Sequence, residues 1–151
     1  MSDISQYPEK LREIMEIFTE VSEAERVEIL LDYSDRFREV PNTLAVRPFP
    51  EENRVQRCES EAFVFIEPLA EDNTLKFYFA VENPQGVSAK ALGAILQEIL
   101  SGGAVQDVLS ISEDIVIKMF GKRISMGKGE GLMGMISLLK YYAKQALKEQ
   151  N

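Results

Sequence analysis

Pro41, Pro48 and Pro50 crowd one short stretch, and they divide the chain into two kinds of hydrophobic spacing. Proline lacks an amide donor and biases the residue before it towards extended backbone, so no regular helix crosses residues 40–53. That stretch reads as an extended linker. Ahead of it the spacing is helical. Pro8 stands near the first position of a helix whose apolar face is Leu11, Ile14, Met15, Ile17 and Phe18. Ser22-Glu23-Ala24-Glu25 forms a capping box, and the helix it opens carries the stripe Val27, Leu30, Leu31, Ser34 and Phe37.

Beyond the linker the pattern changes. A short strand is expected at 54–56, followed by a loop around Cys58, and residues 62–68 and 75–82 are rich in Phe, Tyr, Val and Ile. Glu71-Asp72-Asn73 supplies the turn between these two runs, which predicts three antiparallel strands with Cys58 at their tip. Ser88 is placed to cap a helix through Leu100, and Gly102-Gly103 ends it. Short helical pieces are expected at 105–109 and 113–120. A last helix is expected from Gly129 or Glu130 to Lys148, with Leu132, Ile136, Leu139, Ala143 and Leu147 on one side. The predicted class is α+β, a small antiparallel sheet of about three strands with helices packed on one face. With 151 residues, 45% of them hydrophobic, one domain over 1–151 is expected.

A formal net charge of −8 argues against nucleic acid or an anionic membrane as a partner, because phosphate binding needs a concentrated basic face. No apolar run approaches a membrane span, and the polar first six residues lack the pattern of a signal peptide, so a cytoplasmic location is expected. The chain contains no histidine and one cysteine. Serine-histidine triads, cysteine-histidine nucleophiles, histidine-ligated metals, CxxC pairs and internal disulfides are therefore excluded. Glu9, Glu13, Glu16, Glu20, Glu23, Glu25 and Glu28 read as a solvated helix face, since nothing orders them into an oxygen cage.

What chemistry is left falls to Cys58. A lone cysteine is usually a small buried hydrophobe, but here Arg57, Glu59 and Glu61 resist deep burial. The apolar run from Ala62 to Ile66 is expected to draw the loop onto apolar surface and shield the thiol. Arg57 and the stretch containing Lys118, Lys122, Arg123 and Lys128 offer cations that would favour a thiolate if they approach it, whereas Glu59 and Glu61 act the other way.

The sequence around the thiol is Asn53-Arg54-Val55-Gln56-Arg57-Cys58-Glu59-Ser60-Glu61-Ala62-Phe63. It resembles the cysteine motif of the SufE family, whose members typically read Asn-x-Val/Ile-x-Gly-Cys-Gln-Ser-x-Val-Trp. Asn, Val, Cys and Ser fall in register; Arg57, Glu59 and Phe63 replace the family's glycine, glutamine and tryptophan. Downstream, Ser125-Met126-Gly127-Lys128-Gly129-Glu130-Gly131-Leu132 is similar to the family's Ser/Thr-Pro-x-Arg-x-x-Gly-Leu, with Lys128 in the arginine position. The stretch Glu82-Asn83-Pro84-Gln85-Gly86 does not match the Asp-Ser-Asp element that many members carry there.

The resemblance implies a fold shared with iron-sulfur scaffolds of the IscU type, but one thiolate and no imidazole cannot provide a scaffold's ligands. It further implies a non-enzymatic sulfur acceptor that takes persulfide sulfur from a cysteine desulfurase onto Cys58, stimulates it, and passes sulfur on for iron-sulfur cluster assembly. Arg57, Glu59, Ser60, Lys128 and Gly131 would support the site or bind the partner. No resident cofactor is expected beyond a transient Cys58 persulfide, while the partner desulfurase would carry pyridoxal phosphate. An iron-sulfur scaffold is the expected downstream acceptor, and the chain is expected to be a monomer or homodimer. The competing reading is a thiol-independent acidic adapter in which Cys58 only packs. Gly127-Lys128-Gly129-Glu130-Gly131 lacks the spacing of a phosphate-binding loop, and its glycines read as helix entry and close packing. Met126, Met133 and Met135 read as core filler rather than a soft-metal site.

Overall fold

The computed structural model describes residues 4–122, 124 and 126–150. Two helices come first, α1 (Glu9–Glu20) and α2 (Glu23–Asp35). The strands β1 (Ala62–Ile66), β2 (Thr74–Leu75) and β3 (Phe77–Val81) follow, then α3 (Val87–Leu100), β4 (Gly103–Ala104), α4 (Val105–Ser110), α5 (Ile115–Phe120) and α6 (Met126–Gln150). The class is α+β, as the spacing predicts. The sheet consists of two antiparallel pairs, β1 with β3 and β2 with β4. Residues 54–56 do not form the expected strand. Only Arg54 bridges to Phe63, because the chain turns away at Gln56 and Arg57.

The β1–β3 register sets Phe63 opposite Ala80, Val64 opposite Phe79 and Phe65 opposite Tyr78. Side chains alternate across a strand. Ala62, Val64, Phe77, Phe79 and Val81 therefore enter the main core with α1, α3 and α6, while Phe63, Phe65 and Ala80 point to the other face. That second face is covered as well, which the spacing does not reveal. The proline linker folds back so that Val40 and Phe49 close on it, with the Phe49 ring 5.1 Å from Phe63 and 5.3 Å from Phe65. Val40 N–H donates to the Phe79 carbonyl at 2.9 Å, and Arg47 forks between Glu39 and Glu82 to clamp the linker to the end of β3. Burying Phe49 contributes roughly 2–3 kcal/mol to this docking.

The capping box of α2 is present with both of its reciprocal hydrogen bonds. The stripe expected there holds at Leu30 and Phe37 only. Val27 and Leu31 are exposed, and the contact face runs through Ile29, Leu30, Tyr33 and Phe37. Arg26 accounts for the rotation: its guanidinium turns inward and donates to the carbonyls of Phe18, Lys118 and Met119, which end α1 and α5. Helix ends leave such carbonyls without intrahelical donors, so a cation there is held firmly. Ile17, expected on the inner face of α1, is also exposed. Ser88 lies inside the first turn of α3 and caps nothing, since the helix begins one residue earlier at Val87 with Gly86 at its N-cap. The last helix starts at Met126, three residues before Gly129, and Met126 stands in solvent at 81% exposure rather than in the core. Met135 is buried and Met133 packs beside it.

Candidate functional site

Cys58 sits between two successive turns, at Gln56-Arg57 and Glu59-Ser60, in a loop that closes on the start of β1. Val55 N–H donates to the Ala62 carbonyl at 2.9 Å, and Glu61 N–H donates back to the Cys58 carbonyl at 3.0 Å. The Asn53 amide donates to the Val64 carbonyl at 2.8 Å, which locks the approach to the loop onto β1. Arg57 has φ 59 and Glu61 φ 54, the left-handed region that glycine occupies most easily. Arg57 thus takes the conformation for which the family motif uses glycine.

The first half of α6 lies against this loop, and its glycines allow the approach. A Cβ at Gly131 would stand 3.1 Å from Cys58 Sγ and 3.2 Å from its Cα. One at Gly127 would stand 2.9 Å from Glu59 Oε1, and one at Gly134 would stand 2.8 Å from Val55 Cγ1. Three glycines on one helix therefore seat three parts of the cysteine loop. The Glu59 carboxylate lies at the first turn of α6, where the helix dipole favours negative charge. On its other side the loop meets the exit of β3, where Glu82 and Asn83 N–H groups donate to the carbonyls of Glu61 and Ser60 at 3.0 and 3.1 Å.

The thiol is half-buried against the main core and lines a cleft of about 230 Å³. Of the residues singled out from sequence, Cys58, Glu59, Ser60, Lys128 and Gly131 all line it. Arg57 does not; its side chain is exposed. Lys118 and Lys122 are not part of the cleft, and Arg123 and Ser125 lie outside the described residues. Gly131 on α6 covers the thiol closely, and the core against which Cys58 packs includes Ala62 and Val64 of the apolar run. Asn83, Gln85, Val87 and Ser88 complete the cleft, and the sequence does not single them out for it. Asn83-Pro84 just after a strand is the available signal, as a turn placed beside the loop. The seven glutamates of α1 and α2 are all exposed, and among the described residues no three His, Cys, Asp or Glu side chains gather as a metal site.

This geometry can present one soft nucleophile, half-covered, beside a lysine. Residues 12–143 match the family model described as a SufE Fe-S metabolism associated domain. The chain belongs to the SufE family. It is 27% identical to the SufE-like protein 1, chloroplastic/mitochondrial, of Arabidopsis thaliana, over 93% of this chain and 36% of that protein. The chain thus spans about a third of the length of this plant relative. An uncharacterized SufE-like protein of Mycobacterium tuberculosis is 22% identical over 92% of this chain and 94% of its own length. The solution structure of a hypothetical protein from Thermus thermophilus shares the fold, with a TM-score of 0.73 and 24% identity over 95% of this chain and 99% of that one. The family is described as associated with Fe-S metabolism. Among the described residues no helix is long and apolar enough to cross a membrane.

Proposed function

We propose that this SufE-family chain is a sulfur acceptor: Cys58 takes sulfane sulfur from a cysteine desulfurase and holds it for delivery to iron-sulfur cluster assembly. In the transfer, the Cys58 thiolate attacks the outer sulfur of a cysteine persulfide on the desulfurase. A new S–S bond forms at Cys58, the donor's S–S bond breaks, and its electron pair leaves on the donor cysteine as a thiolate. No external oxidant or reductant is consumed. Stimulation of the desulfurase follows, because its own cysteine is freed for another turnover.

The observation that carries this reading is the seat of the thiol. The chain's one thiol lies at the tip of a hairpin loop, in a cleft open enough to be reached and lined by Lys128. Partial cover from α6 limits wasteful oxidation, and a lysine at the rim attracts an anionic donor. Met126 and Val87 are exposed apolar side chains at the α6 end and on the cleft wall, and they offer contact area to a docked desulfurase.

The deciding experiment is incubation with a cysteine desulfurase and free cysteine, read by intact mass. Wild type should gain sulfur on Cys58, and Cys58→Ser should gain none while still binding the desulfurase, since a serine hydroxyl is not a soft nucleophile at neutral pH. Full stimulation by Cys58→Ser would reject the acceptor role and leave the thiol-independent adapter.

A further inference from the structure

The stretch after β3 departs from the family's element, yet it makes most of the polar contacts that hold the cysteine loop from the side opposite α6. Asn83 uses both its backbone and its side chain there. Its N–H donates to the Ser60 carbonyl at 3.1 Å and its side-chain Nδ2 donates to the Glu59 carbonyl at 3.4 Å. Its side-chain Oδ1 accepts from Gln85 N–H at 2.9 Å, and its own carbonyl accepts from Gly86 N–H at 2.9 Å. Pro84 restrains Asn83 to extended backbone, which keeps these groups aimed. Gly86 is buried beneath the same contact: a Cβ there would stand 2.7 Å from Val81 Cγ1 and 3.0 Å from Ser60 Cβ. One residue therefore ties the entry of α3 to the two carbonyls that follow the nucleophile.

We infer that Asn83 is a positioning residue for Cys58, acting through the backbone of Glu59 and Ser60; this rests on the sulfur-acceptor reading above. Attack on a persulfide requires the incoming sulfur to align with the S–S bond that breaks, so a small rotation of the loop costs rate even when the thiol is intact. Asn83 lines the cleft with Cys58, and the hydrogen bonds it donates go to the loop backbone rather than to the sulfur. It fixes the direction from which the thiol is offered.

Asn83→Asp separates its two side-chain roles, since it keeps the acceptor for Gln85 N–H and loses the donor to the Glu59 carbonyl. The variant should show little change in melting temperature. Alkylation of Cys58 by iodoacetamide in the folded protein should rise roughly two- to ten-fold, the size one net hydrogen bond supplies. The maximal rate of sulfur loading should fall by a similar factor while the concentration for half-maximal stimulation of the desulfurase stays the same, a split that general destabilisation would not produce. Asn83→Ala should likewise raise the alkylation rate and lower the loading rate. Wild-type alkylation and loading rates in both variants overturn the inference. So does free-loop exchange of the Glu82 and Asn83 amide hydrogens in wild type, a measurement that does not depend on either variant folding. Absence of loading in wild type alongside altered alkylation in the variants would instead remove the sulfur-acceptor reading and keep Asn83 as the anchor of the loop.

Discussion

Gly131 meets Cys58 with no room for a side chain: a Cβ would come within 3.1 to 3.3 Å of the cysteine's Sγ, Cα and Cβ together. Backbone on one side and a short side chain on the other leave nothing flexible to yield. Gly131→Ala should push the loop outward and speed alkylation of Cys58, at a cost of about 1–3 kcal/mol by overpacking less the roughly 0.8–1 kcal/mol that alanine returns to the helix. Urea unfolding and a thiol-labelling time course check both parts. Unchanged labelling would mean that the loop slides along α6 without opening.

Arg57 sits at φ 59 in the loop, with an exposed side chain that takes no part in the cleft. Arg57→Gly should relieve the left-handed penalty and, after the added freedom of the unfolded chain is subtracted, stabilise the protein by up to about 1 kcal/mol. The urea midpoint should rise at constant slope. A lower midpoint would show that the arginine stem contributes packing that outweighs its backbone strain.

Lys128 lies exposed on the rim of the thiol cleft. A rim charge acts chiefly on encounter with a partner. Lys128→Ala should raise the concentration needed for half-maximal stimulation of a desulfurase by roughly three- to ten-fold at low salt, and the gap should close as salt screens the charge. A gap that persists at high salt would assign the lysine to a direct contact within the docked complex.

The pH response of α2 has a defined sign. Hydrogen bonds from Ser22, first its backbone N–H and then its hydroxyl, hold the Glu25 carboxyl below the usual carboxylate range. A depressed folded-state pKa contributes stability that is complete above the unfolded value, near ~4.3, and is lost as pH falls through the folded value. Glu25→Ala should therefore melt earlier than wild type at neutral pH, and the gap should narrow as pH falls below the unfolded value and through the lower folded one. Thermal melts across that range test it.

Local signals are legible in the sequence and long-range closures are not. The capping box at Ser22 lies within a few residues of chain, so its geometry follows from short-range bonding; the cysteine motif is as readable as a local string, but its seat is made by α6 and Asn83. Hydrophobic spacing misplaces the phase of α2 because Arg26, a charged residue, turns inward to meet carbonyls of Phe18, Lys118 and Met119. Phe49 closing on Phe63 and Phe65 escapes for a related reason, since linker residues carry no periodicity to announce a second sheet face. The glycines of α6 signal close packing, but which segment they pack against depends on the fold. Asn83-Pro84 signals a turn but not what the turn holds, because the bonds of Asn83 to the loop go to carbonyls, which every residue has.

Glycines at 127, 129, 131 and 134 put four poor helix formers into the first three turns of α6. Each costs roughly 0.8–1 kcal/mol relative to alanine, enough to leave that half of the helix unable to persist alone. Its winding is sustained by what it packs against, the cysteine loop at Gly127, Gly131 and Gly134 and the main core at Leu132, Met135 and Ile136.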